Sequence, residues 1–202
     1  MKRETTEIRQ EQIKKAVLDI IFNEGLDRLS TRNLAYKVGI TEGAIFRHFK
    51  SKRDIILSIM QDVQTNLISD LRTIALSAES AEQRLFSFLC KQCTYLIENK
   101  GVTILLFTEA AHMNDRALKE HLREILIEQK SLIGKIVKDG MSEGLWNTKL
   151  NVDDVTTMYM GIPITLNIEL TLNHERFDRD NFCRRMFSLL QHMLSIQNQK
   201  RM

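Results

Sequence analysis

Proline is almost missing from this chain: Pro163 is the only one in 202 residues, and glycine adds just 8. That is too little turn chemistry for a many-stranded β protein, whose hairpins need such residues, so helices are the expectation from the outset. Cysteine is scarce and odd in number, 3 in all, which argues against a disulfide framework and fits a reducing compartment. Long apolar runs are lacking too. Glu, Lys or Asn interrupts each one well short of the roughly 20 residues a membrane helix needs. The stretch from Met1 to Gln12 is charged rather than apolar and does not read as a signal peptide. A cytoplasmic protein away from the membrane is expected.

What is present is an ordinary globular balance, 43% hydrophobic and 27% charged, which excludes a disordered chain. The net charge of +3 is unevenly spread. From Arg28 to Arg53 seven basic residues face the single acid Glu42, a surplus of six, so the remainder carries a deficit of three. A compact basic segment on a mildly acidic body suits a polyanion such as nucleic acid. On charge alone a solvated face explains it equally well.

Apolar periodicity gives the order of elements. Ile8, Ile13, Ala16, Val17, Ile20 and Ile21 recur at helical spacing from about Glu7 to Asn23, and Gly25 stops that helix. Ser30 or Thr31 can cap a two-turn helix that ends at Gly39, and Thr41 can cap another through Phe49. Ser51-Lys52-Arg53-Asp54 fits a capping box and starts a fourth helix of five or six turns, apolar through Ile74. Five more segments follow, near 81–99, 103–112, 115–143, 152–172 and 179–197. The reading is all-α with about nine helices. Residues 1–50 form a three-helix helix-turn-helix domain for DNA binding, and residues 51–202 a larger helical domain for ligand sensing and dimerisation.

Two short helices joined by a tight glycine turn are the layout of a helix-turn-helix, whose second helix enters the major groove. That groove, about 12 Å wide, admits a helix with a slim leading edge. Gly43 and Ala44 are slim, while Ile45 and Phe49, four apart, point back to a core. The run Ala35-Tyr36-Lys37-Val38-Gly39-Ile40-Thr41-Glu42-Gly43-Ala44-Ile45-Phe46-Arg47-His48-Phe49-Lys50-Ser51-Lys52 closely resembles the signature of the TetR family of bacterial regulators, across roughly residues 8–60. The resemblance implies a homodimer, a divergent C-terminal domain, and repression relieved by a small ligand. Carried over by position, it sends Arg32, Glu42, Gly43 and Ala44 to base edges and Thr31, His48 and Lys52 to phosphates, with Thr41 capping the reading helix. Arg47 can touch either. Phe46 departs from the family, which often has Tyr there, and so loses a hydroxyl contact to the DNA backbone. Lys2 and Arg3 form either a basic arm or a frayed terminus.

One short reading helix spans too few base pairs for selectivity, so two copies about 34–36 Å apart on a palindromic operator are expected. The last two segments carry the candidate dimer surface: Met158, Met160, Ile164, Leu166, Ile168, Leu170, Phe182, Met186, Phe187, Leu190 and Met193. A pocket for a small apolar or amphipathic effector is sought among Phe86, Phe88, Leu89, Cys93, Leu96, Leu105, Glu109, His112, Met113, Met158 and Tyr159, each of which is otherwise core. Pro163 either opens room for that ligand or accommodates a helix crossing. Cys90-Lys91-Gln92-Cys93 lacks a second pair and reads as buried helix cysteine. Glu109-Ala110-Ala111-His112 occurs once, whereas a di-iron bundle needs the motif twice with two further Glu. No metal, cofactor or catalytic residue is expected. The alternatives are DNA-binding control by a protein partner, or without any ligand, and more remotely a helical metal protein or enzyme.

Overall fold

The structure is a computed structural model that describes residues 5–112, 115–172, 178 and 181–195, with only the backbone described at 109–112. Among them there is no β-strand, and the helices follow the order read from the sequence. Helix α1 (Thr6–Glu24) is capped by Thr5 and leads through a short turn (Leu26–Arg28) to α2 (Thr31–Val38) and α3 (Glu42–His48). Ser30, not Thr31, caps α2, accepting from the Asn33 amide, and Thr41 caps α3, accepting from Ala44. Gly39 between them sits at φ 72°, ψ 35°. Only a residue without a side chain adopts that left-handed geometry at low cost, so the tight turn depends on it.

The fourth rod is continuous from Lys52 to Ala75 but not uniform. It comprises α4 (Lys52–Asp62), a wider π-helical stretch (Val63–Ile68) and α5 (Ser69–Ala75). Ser51 accepts from the Asp54 amide, as the capping pattern requires. The reciprocal capping box occurs elsewhere, between Ser80 and Gln83 at the start of α6 (Ala81–Glu98). After α6 come α7 (Val102–His112), α8 (Arg116–Ser142), α9 (Val152–Leu172) and α10 (Phe182–Leu194).

One apolar cluster runs unbroken from Ile13 on α1 to Leu194 on α10. Ile13, Val17 and Ile20 of α1 meet Leu34, Ala35, Ile45, Phe49, Ile55 and Ile56, the inward faces of α2, α3 and α4. Ile8 departs from the sequence expectation: it is exposed on the first turn of α1. Arg84 is buried at the top of the larger bundle. It donates to the Ala75 carbonyl at 2.9 Å and to Asp139 at 2.7 Å, tying α5, α6 and α8 together. Its charge is tolerated there because carboxylate and carbonyl partners replace water.

One expectation about cysteine is corrected. Cys90 is not an unpaired helix cysteine: α10 brings Cys183 beside it and the two form a disulfide with Cα atoms 5.3 Å apart. Cys93 alone matches the reading, buried and free. With a disulfide present, cysteine usage no longer argues for a reducing compartment. Of the apolar residues on the last two helices, expected to divide between the protomer core and a partner, Leu166, Leu170, Phe182 and Leu190 lie in the protomer core. No helix is long and apolar enough to cross a membrane among the described residues.

Gly140 on α8 lies directly beneath the ring of buried Trp146, and a Cβ there would overlap that ring. The Gly140→Ala variant should therefore lose about 1–3 kcal/mol, since a packed indole cannot shift without strain. Thermal unfolding should show a drop of roughly 3–10 °C; an unchanged midpoint would show that the Trp146 contact is loose.

Candidate nucleic-acid interface and internal cavity

Helix α3 presents two unlike sides. Ile45 and Phe49 are buried, while Glu42, Gly43, Phe46 and Arg47 are exposed and Ala44 is half-exposed. Among the described residues, nothing beyond Gly43's chain neighbours and its own helix backbone lies within 4 Å of where a Gly43 Cβ would stand, so this edge of the helix faces open space. A cleft of about 290 Å³ opens beside the helix; most of its lining is apolar, reaching in to Val17, Leu34, Ile45 and Ile56, and its polar members include Thr31, Ser51 and Lys52. The first turns of α2 and α4 both start at this cleft, and N-terminal turns carry amides without helical partners. Backbone amides, hydroxyls and the Lys52 ammonium together suit an anion.

Each residue expected to contact DNA can now be placed. Thr31 and Arg32 lie on the first turn of α2, half-exposed and exposed; Thr41, Glu42, Gly43, Ala44, Phe46 and Arg47 lie at or along the outer edge of α3; Lys52 opens α4. His48 is half-buried and its Nδ1 has no hydrogen-bond partner, while its carbonyl accepts from Gln10 of α1 at 3.0 Å. Charge counting overstated the free cations. Lys37 is held by Asp19 at 2.6 Å and by Glu24 at 3.2 Å, and Arg53 by Asp115. Tyr36, one turn after Arg32 on α2, is 85% exposed.

Polar pairs and one close approach hold α1 and the start of α4 against the helices that follow. Arg53 pairs with Asp115, the cap of α8, and that guanidinium together with the amides of Leu118 and Ala117 holds the carboxyl below its ordinary value. Lys14 of α1 is buried and pairs with Asp62 of α4 at 2.5 Å. Gly101, at φ 83°, lets the turn before α7 approach α1 so closely that a Cβ would sit 2.9 Å from the Leu18 carbonyl. No alanine fits there.

Inside the larger bundle is a cavity of about 70 Å³, walled by the π-helical stretch (Val63, Leu67), by α6, α7, α8 and by Pro163 and Ile164 of α9. Its polar feature is a pair of amides. Tyr159 donates to Gln92 Oε1 at 3.1 Å, and Gln92 Nε2 donates to Gln129 Oε1 at 2.8 Å. Burial pushes the Tyr159 hydroxyl well above its ordinary range, so it stays a donor. Thr103, Phe107 and Ile164 also line an apolar surface groove of about 400 Å³ between α7 and α9, which makes cavity and groove neighbours through shared walls.

Of the residues expected to line a ligand pocket, Leu96 does so. Leu89, Cys93, Leu105 and Tyr159 are packed core beside the cavity rather than wall, as is Phe88. Two require correction: Phe86 turns away to pack edge-on against Phe187 of α10, and Met158 is exposed on α9. The side chains of Glu109 and His112, and Met113 altogether, lie outside the described residues. Gln92 and Gln129 were not anticipated, although glutamine at core spacing on an amphipathic helix signals a buried polar pair.

This geometry meets its match in known proteins. Residues 15–59 match the family described as bacterial regulatory proteins, tetR family, and residues 59–193 match the YsiA-like protein C-terminal region. The chain belongs to the TetR family. TetR-family membership makes it a DNA-binding transcriptional regulator and not an enzyme. Among curated relatives, the fatty acid metabolism regulator protein of Bacillus subtilis is 22% identical over 167 residues, 83% of this chain and 86% of that one. The nucleoid occlusion factor SlmA of Marinobacter nauticus is 25% identical over 132 residues, 65% and 68% of the two chains. The TetR fold recurs in the transcriptional regulator FadR from Bacillus subtilis in complex with stearoyl-CoA, with TM-score 0.70 and 20% identity over 89% of this chain and 96% of that one. The ketosteroid transcriptional regulator KstR2 of Mycobacterium tuberculosis aligns with TM-score 0.80 and 15% identity, covering 94% and 96%.

Because a side chain at Gly43 would meet nothing in the protein, Gly43→Leu should leave the unfolding midpoint within about a degree or raise it slightly, given leucine's better helix propensity. It should nonetheless weaken DNA binding at least about tenfold, because the groove accepts only a slim helix edge. Gel-shift titration beside thermal unfolding checks both; undiminished binding would take α3 out of the groove.

Proposed function

We propose that this regulator is a cytoplasmic repressor that grips a palindromic operator as a homodimer and answers to a small apolar or amphipathic effector. The observation that carries the DNA half of the reading is the bare edge of α3 beside two helix N-termini and Lys52. In this reading Arg32 forks onto a guanine, Glu42 accepts from a cytosine amino group, and Gly43 and Ala44 allow close approach. Phe46 offers apolar contact to a sugar or thymine methyl. Thr31, His48 and Lys52 hold phosphates and set the register without reading sequence, with Thr41 fixing the start of the helix.

Pairing is supported by what α9 leaves uncovered. Met158 is exposed on it and Leu189 on α10, both outside the lining of the groove between α7 and α9. Each such side chain gains roughly 1.5–3 kcal/mol on full burial, so a second copy that covers these helices has a clear driving force. Effector control is supported by the apolar cavity and its neighbouring groove, and by the names of two proteins this chain resembles, a fatty acid metabolism regulator and a regulator seen with stearoyl-CoA. We read the effector as an elongated apolar chain with one polar group that meets the Gln92–Gln129 pair. A second reading gives control to a protein partner and leaves the cavity closed, and the small volume of that cavity, about 70 Å³, favours it.

Lys52→Ala should weaken operator binding and lower the slope of log affinity against log salt by about one unit, whereas Arg32→Ala should cost about 1–3 kcal/mol at one base position. Equal loss on every sequence would move Arg32 to the phosphate set. A long-chain acyl-CoA should release the operator at micromolar concentration. Thr103→Trp, which fills the junction of cavity and groove, should abolish that release with DNA affinity kept. No effect of the acyl-CoA on either DNA binding or thermal midpoint would favour the protein-partner reading.

A further inference from the structure

Helices α6 and α10 run antiparallel and meet in three rungs, each one turn apart. Gln191 donates to Glu82 at the first; Phe86 and Phe187 pack edge-on at the second, ring centres 5.0 Å apart; Cys90 and Cys183 are bonded at the third. Two observations say that the third rung is not a structural staple. The helix is already held without it: Phe182, Leu190 and Leu194 are buried in the common core, and the Leu194 carbonyl accepts from Asn147 at 2.9 Å. A core of this size also folds without cross-links, which are needed mainly in far smaller chains. Both residues are half-buried rather than enclosed in the core.

We propose that Cys90 and Cys183 are a reversible oxidation site, two thiols in the reduced protein and a disulfide after exposure to a peroxide, and that closing it locks α10 onto α6. The chemistry balances with hydrogen peroxide as the oxidant. One thiol gives up its proton and attacks a peroxide oxygen, breaking the O–O bond; a sulfenic acid forms, and the departing hydroxide takes up that proton as one water. The second thiol attacks that sulfur, forming the S–S bond and releasing a second water. Two electrons pass from sulfur to peroxide oxygen, and a dithiol reductant reverses the exchange. Cys93, three residues from Cys90, is excluded from this chemistry. It is buried and unpaired, and burial pushes its thiol up to about 12, so almost no thiolate forms there. The lock has a mechanical consequence because the turn of α6 that follows Cys90 carries Gln92, Tyr95 and Leu96 of the cavity wall.

The test uses the full-length chain, reduced with dithiothreitol, freed of it, and treated with hydrogen peroxide. Alkylation under denaturing conditions followed by intact mass should show three labels before oxidation and one after, with a peptide joining Cys90 to Cys183. Dithiothreitol added to the folded protein should restore all three labels. Closing a loop with sequence separation 93 should raise the unfolding midpoint by roughly 5–15 °C and slow amide exchange along α10. Cys93→Ser should respond like the parent, and Cys183→Ser should show no peroxide-dependent rise. Three labels after peroxide, a disulfide through Cys93, a bond that dithiothreitol fails to open in the folded protein, or equal midpoints in the two states would each overturn the proposal.

Discussion

The rod from Lys52 to Ala75 is shared by both halves of the molecule, and this sharing constrains everything else. Its first turns, with Ile55 and Ile56, complete the small core behind the reading helix; its later turns, with Leu67, Ile68, Leu71 and Ala75, belong to the core of the larger bundle. No slack linker separates the two. The orientation of α3 is thus inherited from packing that extends to α8 and α10. The π-helical stretch sits at the middle of this rod, where Val63 and Leu67 face the cavity. Wide turns of this kind are costly and tend to occur where function needs them.

Beside the shared apolar core, a few specific contacts tie the first helices to the later ones. The Arg53–Asp115 pair joins the start of α4, next to Lys52, to the start of α8. The turn at Gly101 rests against α1, where Lys100 also lies over the Phe22 ring at 5.2 Å. Helix α7 hangs between these two points and lines the cavity with Val102, Thr103, Leu106 and Phe107. A displacement of α7 therefore bears on the bodies that hold α2 and α3 in place. Packed elements of this kind shift between discrete arrangements rather than bend smoothly, and a displacement of a few ångströms is enough to misplace a groove-reading helix.

Much of this was legible in the sequence because local rules and global packing agree. Thr41 capping α3, Gly39 closing the turn, and Ile45 and Phe49 four apart each signal the same element, and agreement of that kind is what makes a short helix predictable. The π-helical stretch was not legible, because its apolar spacing differs too little from that of an α-helix over six residues. Cavity walls were hardly legible either: Leu89 and Leu105 follow the same periodicity as Leu96, yet only Leu96 borders empty space. The Cys90–Cys183 bond was hidden by sequence separation 93 and by an odd cysteine count. Whether two distant cysteines meet depends on how the last helix crosses the bundle, which no local pattern reports.

The central claim is that two copies of a slim helix edge enter successive major grooves on one face of a duplex. Hydroxyl-radical footprinting on the DNA flanking the gene for this protein measures that directly. Two protected patches about one helical turn apart, related by the symmetry of the site, are the expected result. A single patch, or protection that follows the DNA without regard to sequence, would contradict it.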